Sequence, residues 1–295
     1  MADDAPPYFD ALFARLEAGD PAATAAFGRH VHWGYWADPD AADGTGEDYA
    51  RAAEALCQAV CDAAPVADGM RVLDVGCGFG GTIASLNERF QNLDMVGVNI
   101  DPRQLARAAD TVHTANGNRV QWVEADACDL PLTGPFDVVL AVECVFHFPS
   151  RAKFLSEAAR VLKPGGRLAL SDFLPTPEGL PLLQSQGAGH ADTLQSYGKV
   201  DFFCGDADYR RIAAEAGFRD FAGVNITPHT MPTYSFLRGT ATGWQSQTTS
   251  KAYQTATKRL EIASKLDWLR YTIVSASRER EKGRGGEGEK EIPVS

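Results

Sequence analysis

Basic residues are scarce in this chain. Its 295 residues carry 28 Lys and Arg against 39 Asp and Glu, a formal net charge of −11. Proteins that track nucleic-acid phosphates concentrate cations to displace counterions, so this balance points away from nucleic acid and toward a small-molecule partner. Long apolar runs are also missing, and no stretch approaches the roughly 20 residues that span a bilayer. The opening Met-Ala-Asp-Asp-Ala-Pro-Pro lacks the basic and apolar regions of a secretory leader, and a cytoplasmic protein is expected. Cysteine is sparse, with six residues: Cys57, Cys61, Cys77, Cys128, Cys144 and Cys204. They fall inside expected helices, strands or a turn rather than in a loop framework, which predicts reduced thiols. Cys57 and Cys61 share one helix face, but no second ligand pair at zinc-like spacing accompanies them; small core residues are expected, and no metal. There is no internal repeat. The 44% apolar fraction is enough for one large core, and self-association into a homo-oligomer is left open.

What is present is a glycine-rich turn. Val72-Leu-Asp-Val-Gly-Cys-Gly-Phe-Gly-Gly-Thr82 reads as a buried strand running into a turn that opens a helix. Without Cβ atoms, Gly76, Gly78 and Gly80 let the backbone bend and approach a ligand, and the free N–H groups of the following helix point to the same place. Gly76, Gly78 and Gly81 also satisfy the dinucleotide pattern G-x-G-x-x-G, so the turn alone does not choose between a nicotinamide cofactor and S-adenosylmethionine. Asp74, two residues before the first glycine, opposes a pyrophosphate and suits the ammonium and sulfonium of S-adenosylmethionine. A carboxylate there would also serve the backbone of the turn.

Strand and helix patterns alternate along the chain. Strands are predicted over 71–75, 95–99, 119–124, 136–142 and 167–173, with helices over 47–63, 83–90, 102–112 and 151–162. Ser150 is the expected N-cap of the last of these helices, and Lys163-Pro-Gly-Gly166 its stop. This alternation predicts an α/β, Rossmann-like doubly wound sheet with helices on both faces. Residues 1–64 are expected to form an N-terminal helical cap and 65–276 the ligand-binding domain. Within that domain the Pro- and Gly-bearing piece 174–205 should be an inserted lid over the strand ends. Further on, Asp206 is predicted to cap a helix ending at Gly217, before a strand over 218–226, a helix over 250–266 and a strand over 268–275. The charged, Gly-rich tail 277–295 should be disordered.

Four ordered blocks make the pattern specific: Asp74–Gly80, Val96-Gly-Val-Asn-Ile-Asp-Pro-Arg-Gln104, Val123-Glu-Ala-Asp-Ala127, and Glu143-Cys-Val-Phe-His-Phe-Pro149 followed by Leu162-Lys-Pro-Gly-Gly166. Over about Tyr35 to Phe218 the chain resembles class I S-adenosylmethionine-dependent methyltransferases, in the small-molecule branch that includes sugar O-methyltransferases, tocopherol and sterol C-methyltransferases and several amine N-methyltransferases. The resemblance implies a seven-stranded sheet, mostly parallel with an antiparallel edge, and S-adenosyl-L-methionine as cofactor, leaving S-adenosyl-L-homocysteine as product.

It also implies roles for individual residues. Asn99 and Ile100 end the second strand where a ribose is held; the commoner residue there is an acid, and Asn offers a carbonyl oxygen instead. Gln104 would reach the adenosyl or methionyl part, and Asp126 with Ala127 would grip adenine through a carboxylate and a backbone N–H. Glu143 would sit close to the sulfonium, and Tyr35 would fold over the cofactor. His147 stands where related enzymes place a histidine beside the transferred methyl group, and Asp172 is positioned to orient it, an acid–base pair for a hydroxyl acceptor. Histidine-bearing relatives methylate oxygen, nitrogen and carbon alike, so an amine or a prenyl-type carbon stays open. An NAD-dependent dehydrogenase is disfavoured by Asp74 and Asp126-Ala127. A non-catalytic adenosine-ligand sensor would require His147 and Asp172 to lie away from the methyl group.

Overall fold

The structure, a computed structural model, describes residues 7–185, 191–242, 244 and 246–280. Helices α1 (Tyr8–Glu17) and α2 (Pro21–Phe27) come first. Asp20 caps α2 by accepting from the backbone N–H groups of Ala22 and Ala23, and Pro21 fits the first helical position. An extended segment holding Gly34 then leads into α3 (Gly46–Ala63), capped by Thr45. Strand and helix alternate after that: β1 (Arg71–Val75), α4 (Gly81–Arg89), β2 (Asp94–Asn99), α5 (Pro102–Thr111), β3 (Arg119–Glu124), β4 (Phe136–Ala141), α6 (Arg151–Val161) and β5 (Leu162–Pro175). Asp101 caps α5, and Ser150 caps α6 as its sequence predicts.

Strand β5 begins earlier than expected. Leu162 already pairs with Phe136, and Lys163-Pro-Gly-Gly166 is a short excursion before pairing resumes at Arg167 with Val138. Its end is later too, because residues 174 and 175 pair with the last strand and so belong to the sheet rather than to a lid. The rest of the expected insertion holds two helices, α7 (Gly179–Ser185) and α8 (Ala191–Tyr197); residues 186–190 lie outside the described residues. Next comes α9 (Asp206–Glu215), whose N-cap is Gly205, so Asp206 is its first helical residue and not the cap. The chain closes with β6 (Phe218–Asn225), α10 (Thr227–Thr230), α11 (Pro232–Ala241), α12 (Gln247–Lys265) and β7 (Leu269–Arg278). Because β7 runs to Arg278, the expected tail starts inside a strand; residues 281–295 lie outside the described residues.

The seven strands lie in the order β3-β2-β1-β4-β5-β7-β6. The first five are parallel, and β7 runs antiparallel between β5 and the edge strand β6. Alternation along each strand splits the apolar residues between two faces. Val72, Met95, Val138 and Leu140 join the core under α3, α4 and α12, while Leu73, Val75, Val139 and Ala141 join the core under α6 and α9. Strand order reverses between β1 and β4, and in open α/β sheets the crevice beyond the carboxyl ends of strands at such a point is where ligands bind.

Candidate active site

A cavity of about 630 Å³ occupies that crevice, within the usual range of small-molecule sites. Its floor is made by the turns after β1, β2, β3 and β4. Its roof comes from Tyr8 of α1, the segment 29–32 and the segment 198–201. Gly76, Gly78, Asn99, Ile100, Gln104, Asp126, Ala127, Glu143 and His147 all border it. These residues come from four loops spread over more than half the sheet, and the parallel topology delivers them to one place.

The glycine turn is built for two different reasons. A Cβ on Gly76 would lie 2.6 Å from the Cys144 sulfur, so that position is closed by the protein itself. At Gly78 the nearest protein atom to such a Cβ is Gln104 Oε1 at 3.8 Å, and φ is +54°; the space it would fill is the cavity. Gly80 caps α4 beneath Trp122 and does not border the cavity. Asp74 is buried behind the turn, and its Oδ2 has no hydrogen-bond partner among the described residues. Burial pushes its carboxyl up to about 8, against the nearby Thr82 hydroxyl. Asp74 does not itself border the cavity; its unpartnered oxygen lies behind the glycine turn that does.

The turns after β2 and β3 are already ordered by their own side chains. Asn99 Oδ1 accepts from the Asp101 N–H at 3.1 Å, and its amide donates to Gln104 Oε1 at 3.2 Å. Asp126 Oδ1 accepts from the Cys128 N–H at 2.8 Å, which folds the loop and presents the exposed carboxyl to the cavity.

Glu143 stands at the other end. It has φ +53°, rare for a residue with a side chain, and the conformation is held by its N–H donating to Ser171 Oγ at 2.9 Å. Its Oε2 accepts from the Trp33 N–H at 2.8 Å and the Tyr271 hydroxyl at 2.6 Å. Burial pushes its carboxyl up to about 8 despite these donors. Strained backbone over-determined by its surroundings is a recurrent feature of functional sites.

Past Glu143 the cavity continues into a smaller annex shared by Tyr8, His32, Glu143, Phe146, His147 and Tyr197. Its remaining wall is mostly apolar and aromatic, including Trp33, Phe173, Phe202, Leu237 and Tyr253, with Arg15 and Thr240 as its polar members. His147, in the short turn Val145–His147 after β4, faces both spaces. Its Nδ1 lies 3.3 Å from the Lys199 carbonyl. A carbonyl only accepts, so Nδ1 carries the proton and Nε2 keeps its lone pair. Burial takes the imidazole down to about 4, partly offset by that carbonyl, so the ring is neutral near pH 7.

Four expected site residues do not border the cavity: Asp74 and Gly80, already placed behind the turn and at the start of α4, and Tyr35 and Asp172. Tyr35 does not border the cavity; it stacks on His229 at a centroid distance of 4.7 Å, and its N–H donates to the Ala52 carbonyl. The tyrosines that border the cavity are Tyr8, from a helix whose sequence carries no motif, and Tyr197 of α8. Asp172 is fully buried and not in the cavity wall: Arg151 Nε and Nη2 donate to its two oxygens at 2.8 and 3.1 Å, and the Phe173 N–H donates to Oδ1. With its oxygens committed to Arg151, Asp172 is not the direct partner of His147. Sequence reasoning also missed His30 and His32. His32 Nδ1 bonds the Trp33 carbonyl at 2.9 Å, its Nε2 lies 3.0 Å from His30 Nδ1, and His30 Nε2 lies 2.8 Å from Glu54 Oε2. Burial raises the Glu54 carboxyl, but His30, Ser85 and Gln58 outweigh it and take it down to about 2. The available signal was the His-Val-His-Trp-Gly-Tyr-Trp run, read only for its tyrosine. Among the described residues no cluster of three or more His, Cys, Asp or Glu could hold a metal, and no helix is long and apolar enough to cross a membrane.

Residues 73–170 match a family model described as a methyltransferase domain. The 27-O-demethylrifamycin SV methyltransferase of Amycolatopsis mediterranei is 34% identical over 214 residues, covering 71% of this chain and 74% of that protein. The erythromycin 3''-O-methyltransferase of Saccharopolyspora erythraea is 31% identical over 224 residues, covering 73% and 70%. A mycolic acid cyclopropane synthase, solved with S-adenosylhomocysteine, shares the fold with a TM-score of 0.74 at 17% identity, covering 92% of this chain and 99% of that one. The chain belongs to the class I S-adenosylmethionine-dependent methyltransferases, in their small-molecule branch.

Proposed function

We propose that this methyltransferase acts on a hydroxyl oxygen of a small, largely apolar acceptor, with His147 taking the proton. The observation that carries the reading is that His147 borders both the main cavity and the aromatic annex, with Nδ1 toward the Lys199 carbonyl and Nε2 without a hydrogen-bond partner among the described residues. Two relatives whose names specify an O-methyl position support oxygen as the nucleophile.

When bound, S-adenosylmethionine supplies an electrophilic methyl group on a sulfonium sulfur. Asn99, Ile100 and Gln104 hold the ribose side, and Asp126 with the Ala127 N–H selects adenine. Glu143, which borders the cavity, would place negative charge at the cationic end once a bound sulfonium favours its ionised form, while Asp74 would support the turn from behind. The acceptor's apolar body would lie in the main cavity against Phe146, beside the aromatic annex of about 60 Å³, so that its hydroxyl points between Glu143 and His147 and reacts largely through proximity. As the acceptor oxygen bonds the methyl carbon, the carbon–sulfur bond would break and leave S-adenosylhomocysteine as the neutral thioether; the hydroxyl proton becomes strongly acidic, so even a base lowered to about 4, His147 Nε2, would accept it at neutral pH.

Incubating the protein with methyl-labelled cofactor and a panel of neutral, ring-bearing alcohols, amines and prenyl compounds tests the acceptor. Label recovered as a base-stable ether is expected. Label appearing only on nitrogen or carbon would overturn the hydroxyl assignment.

A further inference from the structure

Arg151, Asp172 and Asp201 form a charged cluster that the site above leaves without a purpose. Arg151 opens α6 four residues after His147 and is 4% exposed, while Asp172 on β5 is 0% exposed. Besides its fork to Asp172, Arg151 donates from Nη1 to Asp201 Oδ2 at 2.5 Å and from Nη2 to the Asp201 carbonyl at 2.6 Å. One guanidinium thus joins the sheet to the segment between α8 and α9. That segment has no helix or strand of its own between Gly198 and Gly205.

The segment's other ties converge on the same point. The Asp201 N–H donates to the Phe146 carbonyl at 2.8 Å, and Asp201 Oδ1 accepts from the Phe203 N–H at 2.8 Å. Two residues before Asp201, the Lys199 carbonyl faces His147 Nδ1. Residues 146–147 and 199–201 are therefore clamped by two contacts, backbone to backbone at Phe146 and ring to backbone at His147, and Arg151 secures the clamp from behind.

We infer that the Asp172–Arg151–Asp201 strut is a positioning device that holds the Lys199 carbonyl against His147 and so selects the imidazole tautomer with Nε2 free. In a His–carboxylate pair the carboxylate orients the ring and also stabilises its protonated form. Here Asp172 acts two links away and its charge is matched by Arg151, so His147 gains orientation without a counterion. The lowered basicity of the imidazole agrees with that arrangement. Burying such a cluster costs desolvation, and removing one partner of a buried pair is more costly than keeping both. The consequence for turnover rests on His147 being the base; the consequence for the tautomer does not.

The test uses ¹⁵N-histidine-labelled full-length protein, with long-range ¹H–¹⁵N correlation of the His147 ring assigned by comparison with His147→Gln. Wild type is expected to show one protonated nitrogen, Nδ1. Arg151→Lys keeps a cation for Asp172 but cannot bridge to Asp201; Asp201→Asn leaves the buried pair intact and serves as the second variant if the first does not fold. In the variants the ring signature should move toward a tautomer mixture. Turnover should fall on the order of 10–10²-fold, the cost of a misplaced reacting group, with cofactor Kd unchanged. An unchanged Nδ1–H signature in every folded variant would overturn the inference, whatever happens to turnover. A shifted tautomer with wild-type turnover would uphold the strut and instead remove His147 as the base.

Discussion

The cavity has two halves made in different ways. The half that the proposed function gives to the cofactor is assembled from contiguous motifs, each a strand end and the turn that follows it: Gly76 and Gly78, Asn99 and Ile100, Asp126 and Ala127. The half it gives to the acceptor is assembled from single side chains set far apart in the chain, such as Tyr8, Trp33, Phe173, Phe202, Leu237 and Tyr253. A motif must keep its spacing because backbone groups bind the ligand, so it leaves a local trace. An apolar wall needs only volume, which any of several distant residues can supply. Under the proposed function, the difference separates the residues that would hold the cofactor from those that would select the acceptor.

The largest effect should come from Gly78→Val. A side chain there meets no close protein atom and enters the cavity directly, from a positive-φ position. Cofactor binding by calorimetry should vanish while circular dichroism shows a folded protein; retained affinity would mean that the ligand does not lie on the turn. The matching change in the other half, Phe202→Leu, should leave cofactor affinity alone and raise acceptor KM about tenfold, as for one group removed from an apolar pocket. A change in cofactor affinity instead would show that the two halves are not separable.

A smaller, pH-dependent effect joins the halves at Glu143. In the free protein its carboxyl is raised to about 8, so it is largely protonated below that pH. A sulfonium favours the ionised form. Affinity for S-adenosylmethionine relative to S-adenosylhomocysteine, which lacks that charge, should therefore rise severalfold between pH 6.5 and pH 8.5. The ratio should stay flat in Glu143→Gln. Least of all should Tyr35→Phe matter: the ring stacks on His229 outside the cavity, so cofactor affinity should stay within about twofold of wild type, the range of a change away from any special contact.

Legibility in the sequence follows the same division. The strands 71–75 and 119–124 and the cap Ser150 were readable because local pattern and capping chemistry decide them. The short helices α7, α8, α10 and α11 were not, since their packing against distant elements, as in the Tyr197 to Thr257 hydrogen bond at 2.7 Å, does the stabilising. Tyr35 misled because a motif names a stretch and not which ring turns inward; Gly34 and its neighbours turn Trp33 inward and Tyr35 toward His229. Asp172 misled because a strand-end carboxylate looks the same whether it faces a ligand or an arginine, and Arg151 lies 21 residues away.

The most direct test of the account is turnover by His147→Ala with the methylated hydroxyl acceptor, measured across pH alongside cofactor affinity. Turnover should fall roughly 10²–10⁴-fold, the range for loss of a general base, with cofactor Kd nearly unchanged. The wild-type rate should show no histidine limb near pH 6.5 and decline only as pH approaches about 4, where His147 becomes protonated. Wild-type turnover in the mutant at every pH would contradict the assignment of His147 as the base.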